Sequence, residues 1–133
     1  MNKKLTMHLI QCDTPSPITG RIYPREELEK AIAKYQETID KDIAFGTLGP
    51  SEATINIVDI SHKVKNITIN EDGSVVADIE ILDTPQGTFV QSLGTDYFRL
   101  SPCLTGQVTD DKVVSECTLL HTALFNKETE NDE

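Results

Sequence analysis

The stretch SVVADIEIL, residues 74–82, places Val75, Ala77, Ile79 and Ile81 at every second position. Side chains alternate across a strand, so these four share one face and the polar Asp78 and Glu80 share the other. A strand with one apolar face must be covered, which demands more strands or a helix. The neighbouring sequence supplies them. EDG (71–73) reads as a turn, and KVKNITIN (63–70) before it carries Val64, Ile67 and Ile69. TINIVDIS (54–61) alternates again. Together they predict a meander of about three strands.

The rest of the chain divides by the same rules. KLTMHLIQC (4–12) alternates Leu5, Met7 and Leu9, with His8 on the opposite face, and predicts a strand. DTPSPITG (13–20) is a turn-rich loop. In GRIYPREELEKAIAKYQETI, Pro24 suits the first turn of a helix, and Glu26, Glu27 and Glu29 lie near its positive end. Leu28, Ile32, Tyr35 and Ile39 form one apolar stripe. FGTLGPSEA (45–53) reads as a break. DTPQG (83–87) predicts a short helix from Pro85, capped by Asp83 or Thr84, with Phe89, Val90 and Leu93 facing inward and Gly94 ending it. YFRLS (97–101), GQV (106–108) and VVSECTLLHTALF (113–125) read as strands. KETENDE (127–133) has no apolar residue and predicts a frayed acidic tail on a single domain of residues 1–126.

Composition narrows function. Net charge is −10, from 22 acidic against 12 basic residues, a field that repels phosphate backbones and anionic lipid. Direct nucleic-acid binding and membrane binding are not expected. The N-terminal MNKKLTMHLIQCD has no long apolar run, so neither a signal peptide nor a membrane span is expected. The 3 cysteines, Cys12, Cys103 and Cys117, form no CxxC pair, which disfavours a disulfide framework or a structural zinc site and fits a reducing cytoplasm. No spacing suggests a metal or a cofactor, and no glycine-rich phosphate loop is present.

The order of the punctuated pieces carries a resemblance. GRIYPREELEKAI, FGTLGPSE, DISHKVKNI, SVVADIEILDTPQGTFVQSL and FRLSPCLTG follow one another as in the prohead core proteases of tailed bacteriophages, a family distantly similar to the herpesvirus assembly proteases. The resemblance spans roughly residues 19 to 125. It implies an α+β fold: a compact β-barrel-like antiparallel core flanked by one long and one short helix. It also implies a chemistry, in which a serine attacks a peptide carbonyl and a histidine takes its proton.

Ser101 matches the family's nucleophile. The family's histidine lies in a Gly-Glu-Leu-x-His-Pro motif, which here reads Gly46-Thr47-Leu48-Gly49-Pro50-Ser51, without histidine or glutamate. Within 44–53 only Glu52 is ionisable, and it is a poor base for an alcohol. His62, in DISHKV, and His121, in LLHTALF, are the candidates for a replacement base; a strand histidine bonded to a neighbour is the commoner role. Herpesvirus-type enzymes place a histidine late in the chain, as His121 is, but that residue orients the base. His8 alternates outward. Pro102 has no N–H, so one oxyanion donor is missing, worth about 3 kcal/mol of transition-state stabilisation. Cys103 reads as a small apolar filler.

The sequence therefore keeps scaffold marks and lacks marks of catalysis. The leading expectation is a non-catalytic pseudoprotease that binds phage capsid, scaffold or another virion protein, in host cytoplasm, prohead or virion, with self-association open. The alternatives are an active prohead serine protease with Ser101 as nucleophile, and a small acidic phage-encoded inhibitor or binding module.

Overall fold

A computed structural model describes residues 3–16, 20–49 and 57–126. Six strands are β1 (Lys3–Gln11), β2 (Phe45–Leu48), β3 (Ile60–Ile69), β4 (Ser74–Ile81), β5 (Phe98–Val108) and β6 (Val114–Asn126); two helices are α1 (Arg25–Asp40) and α2 (Pro85–Leu93). They form one sheet in the order β1-β4-β3-β2-β6-β5. All ladders are antiparallel except β2–β6, so the sheet is mixed where a wholly antiparallel one was expected. It curls into a half-barrel, bringing its two edge strands, β1 and β5, near one another without a ladder between them.

The alternation in β4 does what its spacing requires. Val75, Ala77, Ile79 and Ile81 are all buried, and each pairs with an inward residue of β3: Ile69, Ile67, Val64 and His62 in turn. Burying the valine and isoleucine side chains stabilises by about 1.5–3 kcal/mol each, and the Ala77 methyl contributes less. β3 and β4 join through the EDG turn, where Gly73 takes φ 88°, a left-handed conformation that glycine adopts without steric cost. The third strand of the predicted meander differs. Residues 54–56 lie outside the described residues, Ile57–Asp59 is a single 3-10 turn, and β3 starts only at Ile60.

In α1, Leu28, Ala31, Tyr35 and Ile39 are buried and Ile32 half-buried, and the helix packs on β6 and β3. Thr84 caps α2: its hydroxyl accepts from the Gly87 N–H (3.0 Å) and donates to the Ile60 carbonyl (2.6 Å). That second bond ties the start of α2 to the start of β3. Of the three residues expected to face inward on α2, only Val90 is buried; Phe89 and Leu93 are about half exposed. A nine-residue helix packed on β3, β4 and β2 has room to bury only a narrow stripe.

Two further departures concern strands. FGTLG does not break the chain; residues 45–48 form β2, which lies between β3 and β6. Apart from Tyr97, which ends a 3-10 turn, YFRLS and GQV belong to one strand, β5, which runs through Pro102 with register shifts between Cys103 and Leu104 and between Thr105 and Gln107. The predicted tail, 127–133, and Glu52 lie outside the described residues. No described helix is long and apolar enough to cross a membrane.

Candidate functional site

Register decides which candidate side chains can meet. On β5 and β6, Ser101 pairs with Ala123 and Cys103 with His121. Directly opposed residues point to the same face, so Ser101, Cys103, His121 and Ala123 share one. β2 extends this row: Thr47 pairs with Ala123. Ser101 and His121 are thus diagonal neighbours, and such pairs lie about 7–8 Å apart at Cα, within reach of an imidazole. Both are nearly inaccessible, at 2% and 1% exposure.

His62 belongs to the other face. It pairs with Gly46, and its ring passes over that glycine to Thr122, each one residue along from the members of the serine row. Its Nε2 shares a hydrogen bond with Thr122 Oγ1 (2.7 Å) and its Nδ1 shares one with Ser61 Oγ (2.8 Å). The three groups make a closed polar relay inside an apolar sheet, and all are fully buried. Burial, with the nearby His121 adding to it, pushes the His62 pKa down to about 3. The ring is therefore neutral at physiological pH. One nitrogen donates, the other accepts, and hydroxyls satisfy both.

Gly46 is required by this packing. A Cβ there would clash with the His62 ring and lie 2.7 Å from Thr122 Oγ1. The glycine that reads as a strand breaker is what lets an imidazole lie flat across a central strand.

His121 Nδ1 donates to the Thr122 carbonyl (3.1 Å). That bond puts the proton on Nδ1, so in the neutral ring Nε2 is the basic nitrogen. None of the hydrogen bonds just described reaches Ser101. Thr47 Oγ1, on the serine's face, is buried without a hydrogen-bond partner. Pro102 is buried within β5 and contributes no N–H.

The sheet thus separates the two candidate bases: His121 shares a face with Ser101, and His62 does not. Cys103 lies in β5 and is half-buried opposite His121. Burial raises the other two thiols. That of Cys117 stands at about 11, with Glu27 adding to burial; that of Cys12 is raised by burial and then by Asp13. His8 is exposed on β1. Sequence reasoning missed Ser61 and Thr122 as the hydrogen-bond partners of His62, Gly46 as the glycine its ring crosses, and Thr47 as a residue on the serine's face. Ser61 adjoins His62 and was within reach of a local reading, whereas Thr122 meets it from 60 residues away through strand pairing alone. Among the described residues no cluster of histidine, cysteine and carboxylate could hold a metal ion.

No family model and no curated protein matches the chain. Among solved structures it is similar to the capsid assembly protease gp21 of bacteriophage T4, at 16% identity and a TM-score of 0.71, over 92% of this chain and 80% of that one. At that identity the likeness is one of fold, and it agrees with the half-barrel and flanking helices.

Proposed function

We propose that this protein is a non-catalytic, protease-fold component of phage head assembly, which binds capsid, scaffold or another virion protein. The observation that carries this reading is the disposition of Ser101. Its residue is 2% exposed, Pro102 follows it, and His62 is engaged at both ring nitrogens on the opposite face. A nucleophile needs a base within about 3 Å, access to a carbonyl and donors for the oxyanion. The fold shared with a capsid assembly protease supplies the setting.

A second reading, an active serine endopeptidase, is favoured by one specific arrangement: His121 on the face of Ser101, with its proton held on Nδ1. The two separate cleanly. Purified protein is exposed to a fluorophosphonate and, separately, to phage scaffold and capsid proteins. The non-catalytic reading expects no labelling, no cleavage, and binding that survives Ser101→Ala. Cleavage or labelling abolished by Ser101→Ala overturns it, and loss with His121→Ala but not with His62→Ala establishes the second.

A further inference from the structure

We propose that the seam between the two edge strands, β1 and β5, takes up an extended acidic segment of a partner polypeptide as an added strand. The proposal rests on the binding role just stated and gives it a place and a ligand chemistry. The two strands end the sheet on either side and come close without pairing. Between them lies a groove of about 600 Å³.

The lining shows which part of β1 the groove meets. A cavity against one face of a strand touches alternate residues; this one touches every residue from Leu5 to Gln11, and Phe98, Arg99 and Leu100 in succession on β5. Consecutive contact means that the groove follows the outer edges of the two strands, the sides away from the β4 and β6 ladders. Seven residues of edge span about 23 Å, the length of a short strand. Inward side chains, among them Leu5, Met7 and Leu100, give the groove an apolar floor.

Charge selects the occupant. The protein carries a net charge of −10, yet 2 of its 3 arginines, Arg21 and Arg99, line this groove against a single acid, Asp96. The Arg99 guanidinium is held over the Phe125 ring, 5.1 Å from its centroid. Lys3 and Lys4 are exposed at the start of the same β1 edge. A positive margin on an acidic molecule favours a segment alternating apolar and acidic residues, with main-chain bonds supplying affinity and charge supplying selection.

The test uses the full chain and a short synthetic peptide alternating valine and glutamate, with a valine–lysine peptide as its counterpart. Amide hydrogen exchange is expected to slow along residues 5–11 and 98–100 with the glutamate peptide only. The double variant Arg21→Glu, Arg99→Glu is expected to weaken that peptide by about tenfold and to favour the lysine peptide. If that variant does not fold, Arg21→Gln, read in the same way, is expected to lose about threefold. Equal affinity for both peptides, or no slowing along the two edges, overturns the proposal. So does slowing that grows with protein concentration in the absence of peptide, which assigns the seam to a second copy. Slowing along the seam in a protein that also cleaves through Ser101 supports the groove and overturns only the non-catalytic reading. Capsid-protein binding without seam protection overturns only the groove.

Discussion

His62 Nε2 and Thr122 Oγ1 meet at 2.7 Å across a strand that carries no side chain at the crossing point, Gly46. Adding one methyl group there forces the imidazole off both of its hydroxyl partners. Gly46→Ala is expected to destabilise the protein by about 3 kcal/mol, combining overpacking with unsatisfied buried polar atoms. The midpoint of chemical unfolding measures it. A change under about 0.5 kcal/mol would show that the ring relocates without cost.

Thr122→Val keeps the shape and removes the hydroxyl. The imidazole nitrogen facing it is then buried with no partner, which costs about 1–3 kcal/mol. The loss is expected to shrink when His62 is first replaced by leucine, because nothing is then left unpaired. A double-mutant cycle reads that coupling directly. Additive losses would mean that the pair contributes nothing beyond its packing.

The same relay sets an acid limit. Burial lowers the His62 pKa to about 3, against about 6.5 in an unfolded chain. Between those values the unfolded state binds a proton that the folded state refuses, so stability falls as pH drops. The slope from this one group is at most about 1.4 kcal/mol per pH unit. Above about pH 7 it contributes no pH dependence. Thermal unfolding of the wild type from pH 7 to pH 4 is expected to show a steeper decline than His62→Leu. Parallel profiles would place the acid sensitivity in other groups.

The fold was legible where one rule acted alone. The period of two in β4 and the four-three-four spacing on α1 each survive in the structure because one face of each element packs on a single layer. A capping residue directly before Pro85 followed from chemistry confined to four residues, and of the two candidates, Asp83 and Thr84, the structure uses Thr84. Reading failed where distant strands decide. Gly46 and Gly49 suggest a break, and nothing near them shows that Phe45–Leu48 fills the gap between β3 and β6. The site was half legible. Ser101, His62 and His121 are visible as residue types, but whether an imidazole faces the serine depends on register, and a one-residue slip exchanges the faces. Phe89 and Leu93 mislead for a related reason: an apolar residue on a helix announces a preference for burial, not the area available to bury it.

Tyr35 offers a test on the helical side of the core. It sits on the apolar stripe of α1, 4% exposed, and its phenol oxygen is buried without a hydrogen-bond partner. Burial raises its pKa to about 12, so the hydroxyl remains protonated throughout the folding range. A polar atom that gives up water and gains nothing opposes folding, whereas the ring beneath it favours folding through its buried area. The two contributions separate in a pair of variants. Tyr35→Phe removes only the orphaned hydroxyl and is expected to leave stability unchanged or raise it by about 1 kcal/mol. Tyr35→Ala removes the ring and is expected to cost about 3–5 kcal/mol, the usual loss for a large aromatic taken from a core. Urea unfolding of both variants measures the difference. A loss above about 1 kcal/mol in Tyr35→Phe would mean that the hydroxyl has a bonded partner in solution, a buried water among them.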